Sequence, residues 1–263
     1  MNLQQQEHAL RLDFNIGLIK EFHNDPLIVI CNGPSLKDFD FDSIKKYPCI
    51  GMNAAYRMFE KMNFWPTYFC CADLRVGMFH TDEYERILQE RDSTFFLRQN
   101  AVEKINLNKD VNRNKVFTLN CSQTPSLEFD LKKRSVSVFE PNSTGYISCI
   151  LGMALHFKNI ILLGADCNYI ELIDGAERTE SGAGHGGARL TLTKTPSSNP
   201  NYWFDDYQQK GDEYHVPNGS TVHMQGWKKL ADLATNTNTN IINCSVESKI
   251  PFFRKLPFKS LNL

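Results

Sequence analysis

The sequence predicts an α/β fold, a mostly parallel sheet flanked by helices with one long lid segment, and three observations carry that reading. Two runs of consecutive apolar residues, 27–31 (Leu-Ile-Val-Ile-Cys) and 159–164 (Asn-Ile-Ile-Leu-Leu-Gly), read as central parallel strands, since such strands are covered on both faces and hide every side chain. Shorter apolar strands at 49–52 and 67–71 alternate with helical patterns, the order that builds a parallel sheet. Residues 170–213 then lose all regular pattern, and an unpatterned stretch of that length in a compact domain is usually a lid.

Composition narrows the class. A chain of 263 residues, 41% hydrophobic and 22% charged, can bury one sizeable core, and residues 1–263 are read as one domain with the lid inside it. A net charge of −1 lacks the basic excess of a nucleic-acid binder. No apolar stretch reaches the roughly 18 residues of a membrane helix. Residues 1–7 are polar rather than signal-like, so a cytoplasmic location is expected. The eight cysteines are scattered through apolar runs without a Cys-x-x-Cys pair, which fits free thiols in a reducing compartment and gives no zinc site. The tail at 249–259 is basic and aromatic; packing on the domain is the favoured reading, with contact to an anionic inner membrane face as the other. Monomer and homo-oligomer both stay open.

The elements follow in order. Residues 1–24 carry a loose helical spacing and read as an outer helix, and 36–47 as a short helical connection. A helix is expected after Asn53 to Met62, and Pro66 breaks the chain before the strand at 67–71. Residues 74–92 read as one amphipathic helix, 93–97 and 116–119 as strands, and 100–114 as an exposed connection. After a strand at 135–139 comes Pro-Asn-Ser-Thr-Gly and a helix through Phe157, with Ser143 or Thr144 as its cap. A helix from Thr221 to about Ala234 and a last strand at 240–244 are expected to close the sheet.

Candidate chemistry gathers where these strands end. Asn32-Gly33-Pro34-Ser35 is a tight turn at a strand's C-terminal end, where open α/β folds place phosphates against outward N–H groups; Gly33 is expected to supply unusual backbone freedom. Asn53 and Asp73 end the next two strands, so three polar ends face one crevice, although each alone is an ordinary turn former. Ser143, Thr144 and Gly145 open a buried helix and form a second ready anion site. Asp166, Asn168 and Tyr169 end a central strand and are the strongest catalytic candidates. The lid holds Gly182, Gly184, Gly186 and Gly187 around His185, which is weak evidence for a metal, and then Tyr202-Trp203-Phe204. A lid that excludes water suits a transferase. His223, in the first turn of its helix, is the candidate general base, with the helix dipole lowering its pKa; His215 lies nearby.

Ile30-Cys31-Asn32-Gly33-Pro34-Ser35-Leu36, the strand end at Asn53, Ser143-Thr144-Gly145 before a helix, and Leu163-Gly164-Ala165-Asp166 follow the order found in bacterial sialyltransferases of the Campylobacter lipooligosaccharide type. They also resemble a wider group of motility accessory and pterin-diphosphokinase-like proteins. The resemblance spans about residues 27–245. It implies a Rossmann-like domain with a lid, a CMP-activated nonulosonic acid as donor, a glycan hydroxyl as acceptor, and no metal cofactor. Asn32, Gly33 and Ser35 would hold the nucleotide beside Asn53, and Thr144 and Gly145 would meet the CMP or donor carboxylate; Pro34, Asp73 and Ser143 join this donor-binding set from the strand and helix ends alone. His223 would be the base, and Tyr169 would neutralise the leaving phosphate, with Asn168 as the other residue at that position. The arginine that precedes the Ser/Thr-Gly element in those enzymes is replaced by Pro141 and Asn142. Kdo is an alternative donor, and a retaining reaction with Asp166 as nucleophile an alternative course. Two other functions remain: an ATP- and magnesium-dependent pyrophosphokinase, and a nucleotide-binding accessory protein without catalysis.

Overall fold

The structure, a computed structural model, describes residues 25–105, 115–122, 128–130, 132–139, 143–170, 172–180, 187–217 and 221–263. The helix expected over 1–24, together with Pro141, Asn142, Gly182, Gly184, His185 and Gly186, lies outside these residues. The first half of the chain forms β1 (Leu27–Ile30), β2 (Cys49–Met52), α1 (Tyr56–Lys61), β3 (Tyr68–Cys71), α2 (Leu74–Phe79), α3 (Thr81–Glu90), β4 (Thr94–Arg98) and α4 (Gln99–Lys104). Next come β5 (Val116–Ser122), β6 (Glu128–Asp130), β7 (Ser135–Phe139), α5 (Thr144–Ala154) and β8 (Asn159–Leu163). The chain ends with β9 (Ala176–Glu180), β10 (Gly187–Leu192), β11 (Glu213–Pro217), α6 (Thr221–Thr237), β12 (Asn240–Asn243) and β13 (Arg254–Lys255).

Ten strands make the main sheet in the order β13-β12-β8-β1-β2-β3-β4-β5-β7-β6. Every pairing is parallel except β6 with β7, so the fold is the expected Rossmann-like α/β sheet with one antiparallel edge strand. Alternation along β1 explains why the run is apolar throughout. Leu27, Val29 and Cys31 pack on one face with α5 and α6, while Ile28 and Ile30 pack on the other with Tyr56, Phe59 and Tyr84 from α1 and α3. The chain runs outward from β1 to β5, then returns to place β8 on the other side of β1. The sheet therefore reverses its winding between β1 and β8, and the crevice beyond the C-terminal ends of those two strands is where an open α/β sheet binds ligands.

Several local expectations need correction. The single helix over 74–92 is two, because His80 leaves helical geometry at φ −100°, ψ 22° and turns its ring into the core against Tyr56. The connection at 100–114 begins inside α4, whose Ala101 is buried. Segment 170–213 is not patternless: β9 and β10 within it join β11 in a three-stranded antiparallel sheet around Ile173, Leu190, Leu192 and Tyr214. Alternation there is too short and too charged to stand out from sequence. Strand β12 does not close the sheet either, since β13 pairs beyond it. In the tail, Phe253 is buried and Phe258 packs edge-on against Phe39, the packed alternative for its aromatic residues. None of the eight cysteines forms a disulfide, and no helix among the described residues is long and apolar enough to cross a membrane.

Candidate active site

Four polar strand ends stand side by side along the C-terminal edge. Asp166 follows β8, Asn32 follows β1, Asn53 follows β2 and Asp73 follows β3, and these four strands are consecutive neighbours. At about 4.8 Å per strand the row from Asp166 to Asp73 spans roughly 14 Å. The expected register of Asn32, Asn53 and Asp73 is thus realised by three adjacent parallel strands.

The turn after β1 works differently from expectation. Gly33 has φ −74°, ordinary extended backbone, so its conformational freedom is unused. What it supplies is space. A Cβ there would lie 2.2 Å from the Asp166 carboxylate and 2.5 Å from the Gly164 carbonyl. The left-handed backbone belongs instead to Gly164 (φ +67°) and Asn53 (φ +56°), Asn being one of the few side chains that tolerate it. The N–H groups expected to face a phosphate are used within the protein. Gly33 N–H donates to the Gly164 carbonyl (2.9 Å), Leu36 N–H to the Gly33 carbonyl (3.2 Å), and Ser35 N–H to Asp166 Oδ2 (2.8 Å). Asp166 therefore staples the β1 turn to the β8 turn. Ser245 extends the staple, its hydroxyl bonding Ser35 Oγ and accepting from Ala165 N–H, both at 3.0 Å. Asp166→Ala is expected to cost about 1–2 kcal/mol by removing this charge-assisted bond, and Asp166→Asn, which keeps an accepting oxygen, less than about 1 kcal/mol. Urea denaturation of the two variants checks the difference.

What the row offers a ligand is side chains. Asn32 is 9% exposed; its Nδ2 donates to Tyr207 Oη (2.9 Å) and the Met52 carbonyl (3.4 Å). Asn32 Oδ1, Asn53 Oδ1 and Thr144 Oγ1 are buried and have no hydrogen-bond partner among the described residues. A buried oxygen without a partner is costly; six other buried polar atoms, among them Tyr68 Oη and Trp203 Nε1, share that condition, and these three are the ones on the expected binding residues. Asp73 caps α2 by accepting from Val76 N–H (2.9 Å). Ser143, rather than Thr144, caps α5, accepting from Tyr146 N–H (3.1 Å). This leaves the Thr144 hydroxyl free at the helix start. Gly145 is a packing residue here, since a Cβ would come within 3.0 Å of Cys31 Sγ and 3.2 Å of Trp227.

Tyr169 and His223 meet, their ring centroids 5.3 Å apart and nearly perpendicular. His223 is half-buried on the first turn of α6. Its pKa is pushed down to about 4, and the cause is burial rather than the helix dipole, so the ring is uncharged through the neutral range. Tyr169 keeps 37% of its surface exposed, yet crowding at its oxygen end, desolvation first and Tyr202 second, raises the phenol well above its ordinary 10. Asn168 is exposed, and β11 carries His215. Sequence reasoning missed Tyr207 and Arg57, which the fold brings to the row; the aromatic cluster at 202–204 was the one signal nearby. Among the described residues no three His, Cys, Asp or Glu side chains are placed to hold a metal ion. Mg²⁺ usually takes one or two carboxylates with substrate phosphates, and Asp73 and Asp166 stand at opposite ends of the row.

A family model described as 6-hydroxymethylpterin diphosphokinase MptE-like matches residues 4–171, well over half of the chain. The chain belongs to the MptE-like family. The match takes in β1 to β8 and the whole row from Asn32 to Asp166. No curated protein matches the MptE-like sequence. Among solved structures it is similar to the MAf glycosyltransferase of Magnetospirillum magneticum AMB-1, at 14% identity and a TM-score of 0.44, over 92% of this chain and 35% of that one. The chain thus spans about a third of that glycosyltransferase's length. It is also similar to the sialyltransferase CstII of Campylobacter jejuni in complex with cytidine-5′-monophosphate, at 13% identity and a TM-score of 0.37, over 92% of this chain and 88% of that one. The CstII structure with CMP-3FNeuAc gives 13% identity and a TM-score of 0.38, over 91% and 89%.

Proposed function

We propose that this MptE-like chain is a glycosyltransferase that binds a CMP-activated nonulosonic acid, sialic acid or Kdo, along the β8-β1-β2-β3 row and passes the sugar to a hydroxyl of a bacterial surface glycan. The observation that carries the reading is the set of three buried oxygens on Asn32, Asn53 and Thr144 that have no partner among the described residues. Two are carboxamide oxygens, which only accept, so the ligand must bring O–H or N–H groups, as a ribose and a cytosine amine do. Thr144 and the start of α5 would meet the donor's carboxylate or phosphate. His223, uncharged and in contact with Tyr169, would take the acceptor hydroxyl's proton while the bond from the sugar to the CMP phosphate breaks. Tyr169, still protonated, would donate to the departing phosphate. CMP is its own leaving group, and the proposed step needs no metal.

A second reading, an ATP-dependent diphosphokinase acting on a hydroxymethyl group, is favoured by the family match over residues 4–171. It asks for Mg²⁺ on the transferred phosphates, which one carboxylate can hold together with substrate oxygens, so Asp73 or Asp166 singly would be the ligand.

A thermal-shift panel of CMP, CDP, UDP, GDP and ATP, with and without magnesium, separates the two. A ligand that binds only the folded state raises Tm by mass action. CMP without metal is expected to raise Tm by several degrees; stabilisation by ATP with magnesium alone would transfer the chain to the diphosphokinase reading.

A further inference from the structure

Residues 199–212, which sequence reading assigned to a lid, are tied to the body at separate places. The Asn201 carboxamide pairs with the Ile170 backbone in both directions, accepting its N–H and donating to its carbonyl, each at 2.7 Å. The Arg57 guanidinium donates to both oxygens of Asp212 (2.7 and 3.2 Å) and to the Tyr207 carbonyl (2.7 Å), and this ion pair is largely buried. The tethered segment carries Tyr207 into the crevice. Its ring lies flat on Tyr202, centroids 3.8 Å apart and 10° from parallel, and only 4% of the residue is exposed. Its oxygen accepts from Asn32 Nδ2 at 2.9 Å and from Ala54 N–H at 3.4 Å.

The Met52 carbonyl decides which way the Asn32 carboxamide faces, since the Tyr207 hydroxyl can donate as well as accept. Nδ2 lies against the Tyr207 oxygen and the Met52 carbonyl, and a backbone carbonyl can only accept. Oδ1 is therefore turned the other way, where it is buried with no partner among the described residues. We propose that Tyr207, held in place by the Arg57–Asp212 pair, is a positioning residue that holds the Asn32 carboxamide against the Met52 carbonyl, which turns its oxygen towards a donor group of the nucleotide. This rests on the nucleotide reading above and adds to it a residue beyond the family-like turn. A carboxamide released from Tyr207 can turn its oxygen away and lose its hydrogen bond to that donor, so the lock acts on affinity rather than on the fold.

Tyr207→Phe keeps the ring on Tyr202 and removes the oxygen. Isothermal titration with CMP is expected to give a Kd about tenfold higher, near the worth of one hydrogen bond, with Tm moved by only about 2 °C. Because Tyr207 acts through Asn32, the same substitution in an Asn32→Ala background is expected to cost no further affinity, a coupling that a merely structural role would not produce. Asp212→Asn, which keeps the phenol but loosens its tether, serves where Tyr207→Phe does not fold, and is expected to weaken CMP binding about threefold. Unchanged or tighter CMP binding by Tyr207→Phe, or additive losses in the double variant, would overturn the positioning role while leaving the nucleotide reading intact. A wild-type protein that binds neither CMP nor ATP with magnesium would overturn both.

Discussion

Gly33→Ala is expected to destabilise the fold by about 3 kcal/mol, the upper part of the range for overpacking a closed site. The backbone is not the obstacle, since φ at Gly33 is −74° and alanine adopts that freely. The obstacle is that the added methyl would overlap both Asp166 Oδ2 (2.2 Å) and the Gly164 carbonyl oxygen (2.5 Å). The carboxylate could swing away, but only by releasing Ser35 N–H. The Gly164 carbonyl cannot, because it accepts from Gly33 N–H and its residue is fixed at φ +67°. For a chain of this size the loss corresponds to a fall in Tm of roughly 6–12 °C. Differential scanning calorimetry of Gly33→Ala checks it, with Gly211→Ala as comparison: Gly211 has no heavy atom within 4 Å of its would-be Cβ, so strain at φ +91° is all it pays. A Gly33→Ala protein that melts with the wild type would show that the β1 and β8 turns are not packed as described.

The sheet was legible in the sequence because burial on both faces leaves a mark that survives translation into residue types. The apolar runs at β1 and β8 marked central strands, and the polar residues closing β1, β2 and β3 marked a shared edge with Asn32, Asn53 and Asp73; that Asp166 extends this row follows only from β8 pairing beside β1. The internal wiring of that row was not legible. Nothing in Asn32-Gly33-Pro34-Ser35 tells that its N–H groups are already used, because their partners, Gly164 and Asp166, lie some 130 residues away in the chain. Gly33 was read for conformational freedom, the commoner reason for a glycine in a turn, when the cause was the close approach of a carboxylate from another strand. Tyr207 was invisible for the same reason: its importance comes from Asn32, 175 positions earlier. Strands β9 and β10 were missed because they build a small sheet with β11, apart from the main one, whose interior is only a few side chains. Local pattern reports which residues are buried; it does not report which long-range partner a polar group will find.

Stability is expected to fall as the pH drops from 6.5 towards 4, with His80 a principal cause. Its ring is 5% exposed and its Nδ1 lies 3.1 Å from the Tyr56 hydroxyl, which can donate only to an unprotonated nitrogen. Burial, and next the positive charge of Arg57, push the His80 pKa down to about 4 against an ordinary 6.5, with Asp212 opposing. Between those two values the unfolded chain holds a proton that the folded chain does not, so stability rises with pH across the window and is lost on acidification. For His80 alone the loss between pH 7 and pH 5 is about 2 kcal/mol, or roughly 4–8 °C in Tm. His223, also depressed to about 4 by burial, adds in the same direction. His80→Gln keeps a group able to bond Tyr56 and removes the titration, so its Tm is expected to vary less between pH 7.5 and 5 than that of the wild type, with His223→Gln showing a smaller flattening. The effect should also be local, because a proton on His80 sets a second positive charge beside the Arg57 guanidinium that holds Asp212 and Tyr207. Hydrogen exchange across residues 199–212 is therefore expected to quicken at pH 5, after correction for the intrinsic rate, before the β1 and β8 amides do. A wild-type Tm that stays level between pH 7.5 and 5, or a His80→Gln protein with the full wild-type slope, would show that His80 is not held uncharged in this core.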